Sequence, residues 1–247
     1  MYNPYSLEGK TVLITGASSG IGRSAAIECA KLGAGTIITG RNNDRLNQVA
    51  DECMGGVVIC ADLSESQSIV DFVVQIPPLD GLVLNAGISK VAPVKCIKEA
   101  DFGKLLNINT VSPLLLLKEL LRHKKLKSGA SIVVTASMAA VGEVAVGSAM
   151  YAASKAALSA ASKVCALELA PKNIRVNAVC PGMVHTKLTD TLSDFMGDSE
   201  PAVSHYPLGR LGEPKDVAFA IVYLLSDAAS WITGTDFLID GGLHLSS

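Results

Sequence analysis

No two cysteines of this chain stand as C-x-x-C, and its four histidines (His123, His185, His205, His244) are scattered without metal-ligand spacing. The six cysteines (Cys29, Cys53, Cys60, Cys96, Cys165, Cys180) match no zinc set either, so no metal site is expected. Most sit in apolar runs, as buried free thiols do, and unpaired thiols suit a reducing cytoplasm. Charge is scarce: charged residues make up 18% and the net charge is −2, so the basic stripe that a phosphate backbone needs is missing and nucleic acid is not an expected partner. The single basic run, RHKKLK at 122–127, reads as the last turn of a helix, where cations complement the dipole. No apolar run reaches membrane-spanning length; the longest, PLLLLKELL, is broken by Lys118. The opening MYNPYSLEGK carries no apolar signal segment, and no membrane association is expected. Internal repeats, low-complexity tracts and linkers are missing as well.

What is there is a chain of 247 residues in a regular alternation, long enough for one domain spanning 1–247. Its composition is 49% hydrophobic against those few charges, and this thinly charged surface suggests further burial between subunits. TVLIT (11–15), GTIITG (35–40), GVVICA (56–61), LDGLVL (from 79), SIVVTAS (131–137), IRVNAVCPG (174–182) and TDFLID (235–240) read as strands. Between them lie helical patterns, among them Ile21, Ala25, Cys29 and Leu32 on one face, a helix after Ser64 as its cap, one long helix or two over 99–125, and helices at 149–170 and 214–226. The strand runs are continuously apolar rather than alternating, which suits a parallel sheet covered on both faces. The fold class expected is α/β: a doubly wound (Rossmann) seven-stranded parallel sheet with helices on both faces. Residues 183–213 form the longest stretch without a strand and follow the carboxyl end of one, where long loops serve as lids.

TGASSGIG (15–22) joins the first strand to the first helix. Gly16 and Gly20 let the turn tighten and a ligand approach the backbone, Gly22 lets the helix pack closely, and the helix N-terminus then offers N–H groups to a pyrophosphate. The spacing G-x-x-x-G-x-G departs from G-x-G-x-x-G, so the turn alone is a weak signal and a tight βα turn without a ligand is its bland alternative. After the second strand come Gly40 and Arg41, where an acid would mark NAD. An arginine there pairs with a 2′-phosphate, which favours NADP(H) over NAD(H), or it is a solvated surface residue. Asp44 fits the first turn of a helix. Asp62 either hydrogen-bonds an adenine amino group or caps the following helix.

With the further segments ADL (61–63), NAG (85–87), NINTVSP holding Asn109, Ser137, YAASK (151–155), PG (181–182) with Thr186, and ITG followed by DGG, the chain resembles the short-chain dehydrogenases/reductases, in their shorter subfamily. The resemblance runs from Leu7 to Leu243. It implies a catalytic set of Asn109, Ser137, Tyr151 and Lys155. It also implies a dinucleotide held by Gly16, Ser18, Ser19, Gly20, Ile21, Gly22, Arg41, Asp62, Leu63, Asn85, Ala86, Gly87, Tyr151, Lys155, Pro181, Gly182, Val184 and Thr186. Homotetramers, or homodimers, built on the helices containing 98–121 and 150–170 are implied too. Two departures stand out: Leu84 replaces a common asparagine, and the separation of Ser137 from Tyr151 is one residue longer than in many members. The members that look nearest are 3-oxoacyl-(acyl-carrier-protein) reductases, yet Ala130 and Lys172 stand where those often carry arginines, which weakens that assignment.

Tyr151 and Lys155 are four residues apart on one helical face. A lysine ammonium so placed is expected to lower the tyrosine pKa from its ordinary value near 10. Tyr151 then exchanges a proton with a ketone or secondary alcohol, Ser137 hydrogen-bonds the same oxygen, and, by resemblance, Asn109 anchors a water leading from Lys155. The expected activity is an NADPH-dependent carbonyl reductase acting on a small molecule. The alternative is a catalytically silent dinucleotide sensor or scaffold of the same fold. Taken singly each residue has an ordinary role: a packed tyrosine, a solvated lysine, a strand-end serine, a helix-interrupting asparagine. His185 and Tyr206 could each touch substrate, but structural or surface roles are favoured for both and they stay outside the catalytic set; Ala152, Ala153, Ala156, Ala157 and Ala160 are expected to permit close approach of the helix to the sheet, the cofactor or a neighbouring subunit.

Overall fold

The strands form one parallel sheet because their side chains are apolar on both faces. The computed structural model describes residues 2–142, 144–186 and 203–245. Its strands are β1 (Thr11–Thr15), β2 (Gly35–Gly40), β3 (Val57–Cys60), β4 (Leu79–Leu84), β5 (Leu126–Thr135), β6 (Arg175–Pro181) and β7 (Asp236–Ile239). They lie in the order β3-β2-β1-β4-β5-β6-β7, every pair parallel. The helices are α1 (Gly20–Lys31), α2 (Asn43–Glu52), α3 (Ser66–Gln75), α4 (Glu99–Leu106), α5 (Ser112–Arg122), α6 (Ala149–Leu169) and α7 (Pro214–Leu225).

Successive residues of a strand point to opposite faces. Val12 and Ile14 of β1 therefore join the core under α1, α2 and α7, while Leu13 joins the core under α3, α5 and α6. Phe72, Ile69 and Ile76 close the second core with Leu116 and Leu120, each almost wholly buried. Each such side chain contributes about 1.5–3 kcal/mol through removal from water. The chain winds outward from β1 to β3, returns, and winds the other way from β4 to β7. That reversal leaves a crevice at the carboxyl ends of β1 and β4, where a doubly wound sheet binds its ligand.

Several local expectations are corrected. Ser64 does not cap α3; its hydroxyl and N–H both turn back to Asp62 Oδ1 (2.7 and 3.0 Å), and Glu65 takes the N-cap position without a side-chain bond. The run 122–127 supplies only Arg122 to the last turn of α5, while Lys127 enters β5 and pairs with Asp80 at 2.7 Å. Asp44 does lie in the first turn of α2, whose N-cap Asn42 accepts from Arg45 N–H. Of the six cysteines only Cys29, Cys53 and Cys180 are buried, and Cys60 and Cys96 are exposed. On α6 the buried face carries Ser154, Ser159 and Ser162, whereas Ala153 and Ala160 face outward. Ser154 and Ser162 tolerate burial because their hydroxyls donate to the carbonyls of Tyr151 and Ser159, one turn back.

Between α4 and α5 the helix does not break. One π-turn, Asn107–Val111, widens it at Asn109. Such a turn places a side chain inside the packing where a regular α-helix would carry it past. Of the proposed lid at 183–213, residues 187–202 lie outside the described residues. Its two ends are joined by a parallel bridge of Val184 with Gly212, with His185 N–H donating to Gly212 O (2.9 Å) and Gly212 N–H to Met183 O (3.0 Å).

Candidate active site

The carboxyl ends of β1, β4 and β5 are tied by two side chains. Thr15 Oγ1 accepts N–H groups from Asn85 (3.0 Å) and Ala86 (3.1 Å) and donates to Val83 O. Asn85 Nδ2 donates to Thr15 O and Gly16 O, and its Oδ1 accepts from Thr135 Oγ1. These bonds hold the glycine turn against the NAG segment. A Cβ on Gly16, which has φ +66, would lie 2.8 Å from Ala86 Cα. A Cβ on Gly22 would lie 2.4 Å from Gly16 O and 2.5 Å from Asn85 Nδ2. Gly22 therefore serves the turn itself, and through Asn85 the sheet.

Above this floor runs a cavity of about 960 Å³, at the upper end of the size of ligand sites. Every residue assigned to the dinucleotide or the catalytic set lines it, except Gly22 and Asn109, which stand behind the wall. Ser19, the N-cap of α1, makes no side-chain capping bond, so the first N–H groups of the helix stay available to an anion. Arg41 is exposed at the end beside β2, and it, not an acid, is the first residue past that strand. Asp62 lies nearby, held below the usual carboxylate range by the Ser64 hydroxyl and N–H, then by Arg41 and Lys104. It caps no helix. The free turn N–H groups, the glycine floor and the Arg41 cation together fit a dinucleotide.

At the other end Ser137 and Tyr151 both line the cavity, the serine close enough to act on the phenol. Ser137 is placed by a turn in which its Oγ accepts from Ala139 N–H (3.2 Å). Lys155, one turn further along α6, is 4% exposed, and its Nζ donates to Thr135 O at 2.7 Å. Burial depresses the ammonium to about 8, against a small opposing effect from Cys180. The tyrosine departs from expectation. Burial raises its pKa, and only the nearby Ser137 side chain works the other way. The reason is physical: Lys155 is turned into the Thr135 carbonyl, and loss of water around the phenol outweighs other influences.

Asn109 is fully buried. Its Nδ2 donates to Ile88 O and to Ser154 Oγ, both at 2.9 Å, while its Oδ1 accepts from Ile88 N–H at 2.9 Å. Both amide hydrogens are thus committed, which leaves only Oδ1 for any further partner. A Cβ on Gly87 would meet that Oδ1 at 3.2 Å and Lys155 Nζ at 3.3 Å. Gly87 is the gap that lets the asparagine and the lysine share one space.

Sequence reasoning missed several contributors. Thr15 opens the TGASSGIG segment but its tie to Asn85 is not legible there, and Thr135, the last residue of β5, carries no motif signal of its own. Tyr206, for which the sequence favours a structural or surface role over substrate contact, is 7% exposed, lines the cavity, and its Oη accepts from Met183 N–H at 3.3 Å. Its ring packs 3.6 Å from the place a Gly182 Cβ would take. The only hint was its place in the region after β6. His185 lies outside this cavity, in a shallower one against α1 and α2. Among the described residues no cluster of His, Cys, Asp or Glu is placed to hold a metal ion, and no helix is long and apolar enough to cross a membrane.

Comparison with known proteins follows this geometry. A family profile described as enoyl-(acyl carrier protein) reductase matches residues 16–244. The 3-oxoacyl-[acyl-carrier-protein] reductase FabG of Rickettsia felis is 36% identical over 238 residues, covering 96% of this chain and 98% of that protein. The 7alpha-hydroxysteroid dehydrogenase of Escherichia coli K12 is 35% identical over 246 residues, 96% of this chain and 94% of that one. A crystal structure of a candidate NAD(P)-dependent gluconate 5-dehydrogenase from Beutenbergia cavernae, with NADP bound at low occupancy, superposes with a TM-score of 0.89 at 33% identity, covering 99% of this chain and 100% of that one.

Proposed function

The chain belongs to the short-chain dehydrogenase/reductase family, and from that premise we propose that this oxidoreductase interconverts a ketone and a secondary alcohol with NADP(H), Tyr151 moving the proton. The observation that carries the reading is the convergence of Ser137, Tyr151 and the buried Lys155 on one cavity.

A bound nicotinamide dinucleotide supplies the hydride. The chain supplies placement and the proton. In the reducing direction Tyr151 Oη, kept protonated by its burial, gives its proton to the carbonyl oxygen. The Ser137 hydroxyl donates to the same oxygen as negative charge develops there. Lys155 holds its ammonium one helical turn from the phenol and steadies the ionised tyrosine. Asn109 acts at one remove: it fixes the Ile88 backbone and Ser154, and so the wall on which Lys155 rests.

Gly16, Ser18, Ser19, Gly20 and Ile21 would hold the pyrophosphate, with Asp62 and Leu63 at the adenine and Asn85, Ala86 and Gly87 beneath the ribose. Pro181, Gly182, Val184 and Thr186 would flank the nicotinamide. The preference for NADP(H) rests on Arg41, whose planar fork suits a 2′-phosphate, and on its standing, in place of an acid, as the first residue past β2. A carbonyl reductase working as a homotetramer in the cytoplasm is the form of the activity proposed.

The test is the purified protein with NADPH and a panel of ketones, followed by absorbance, beside its Tyr151→Phe variant. The variant is expected to lose on the order of 10²–10⁴ in kcat, the usual worth of a positioned general acid, with NADPH affinity retained. Full turnover without the phenol would sink the assignment.

A further inference from the structure

The proton-transfer end of the cavity has a chemical character that the reaction alone does not dictate. Beyond Tyr151, the loops after β5, β6 and β7 bring Met138, Val144, Met183 and Leu243 to one wall. The polar groups there are the hydroxyls of Ser89, Ser148 and Tyr206 and the imidazole of His205. Apart from Lys155, the ionised side chains on the described wall are Arg41 and Asp62, and both lie at the opposite end, beside β2 and β3. Among the described residues a carboxylate or phosphate on the substrate would find no cation here but Lys155, whose ammonium already donates to Thr135 O, and losing water without such a partner is unfavourable.

A second observation points the same way. Val144 lines the cavity and is nonetheless 69% exposed, and Val146, two residues on, is 95% exposed. Leu245, just past Leu243, is 75% exposed. Isolated exposed apolar residues mean little, but Val144 and Leu243 reach one cavity from two separate loops, each followed within two residues by a further exposed apolar side chain.

We infer that the substrate is a neutral, predominantly hydrocarbon ketone or secondary alcohol whose body lies along Met138, Val144, Met183 and Leu243, and that polyhydroxylated and anionic keto compounds are excluded. The inference rests on the oxidoreductase reading above and narrows it. Solvation sets the selectivity: apolar surface leaves water on entry, at a gain that corresponds to roughly fourfold in binding per methylene buried.

The experiment measures kcat/KM with NADPH for cyclohexanone, 4-methylcyclohexanone, 4-propylcyclohexanone and 2-decalone, against 5-keto-gluconate and a 4-carboxy-cyclohexanone. The expected result is a rise along the alkyl series of roughly twofold to fourfold per carbon, with the two anions at least a hundredfold below their neutral counterparts. Val144→Asp, a change at an exposed position, is expected to flatten the series and lower kcat/KM for 2-decalone at least tenfold, with the Kd for 2′,5′-ADP unchanged. A flat series, or an anionic keto compound as the best substrate, overturns the inference and leaves the oxidoreductase reading standing. Turnover of none of these ketones or of any other panel member, with NADPH binding intact, overturns both.

Discussion

Asn109 and Ile88 are bonded twice: the asparagine amide accepts the isoleucine N–H and donates to its carbonyl, each at 2.9 Å. A side chain here does what a neighbouring strand does in a sheet. It satisfies both polar groups of a loop residue that has just left β4. Because Asn109 is wholly buried, its loss leaves those groups unpaired. Asn109→Ala is expected to lower unfolding free energy in urea by about 2–4 kcal/mol and to reduce kcat, while Asn109→Asp, which keeps the acceptor, is expected to fall between the two. An unaltered unfolding midpoint in the alanine variant would show that the clamp carries no weight.

Lys155 supplies the prediction in pH. Its folded value of about 8 lies below its ordinary 10.5, so between those two pH values the unfolded chain binds a proton that the folded chain does not. The contribution of this group to stability is therefore fully present above the unfolded value and is lost as pH falls through about 8. In the cofactor-free protein, carbon-13 spectra of labelled lysine are expected to contain one side chain titrating near 8, a signal missing from Lys155→Met. If every lysine titrates above 10, the desolvated placement is wrong.

Arg41 decides between the two dinucleotides. Arg41→Ala is expected to weaken NADPH binding by about ten- to a hundredfold, the worth of a charge-assisted pair, and to leave NADH binding within a factor of two to three. Titration calorimetry with both cofactors reads this directly. Equal losses for the two would place the arginine elsewhere than at a 2′-phosphate.

Two glycines of similar appearance in the sequence are expected to behave oppositely. A Cβ on Gly22 meets backbone at 2.4 Å, whereas one on Gly103, in α4, meets nothing within 4 Å. Gly22→Ala is expected to open the glycine turn and weaken NADPH binding at least about a hundredfold, because the helix N-terminus moves away from the pyrophosphate. Gly103→Ala is expected to raise stability by about 0.4–1 kcal/mol. Thermal unfolding and cofactor titration of the pair separate the effects.

Much of the frame is legible from residue order. β1 and β2 fall where the apolar runs fall, since Gly16 turns the chain at the end of one and Gly35 and Gly40 bound the other. β5 begins at Leu126, well before its apolar run, because Leu126 pairs with Leu79 across an irregularity in register. Pairing between distant segments of that kind leaves no local trace. Ser64 was misread for a related reason: Asp62, two residues earlier, captures its hydroxyl before a helix can use it. The buried serines of α6 are likewise invisible in composition: Ser154 and Ser162 become apolar in effect by bonding to their own helix, and Ser159 by donating to Asp236 of β7.

The tyrosine shows where motif reading stops. Spacing places Tyr151 and Lys155 on one face, and that is correct. Spacing says nothing of how much water each retains, and the balance of desolvation against charge decides the pKa. Tyr206 reaches the same cavity from the far side of a long excursion, a meeting that only the folded chain reveals.

The bridge of Val184 with Gly212 bears on how such a molecule changes over generations. Two chain positions held side by side form the neck of a loop, and once a neck is closed, doubling the loop beyond it costs only about 0.6 kcal/mol. A change in the length of chain between 187 and 202 therefore costs the fold little, whereas Tyr206, inside the same neck but packed at Gly182, has no such latitude.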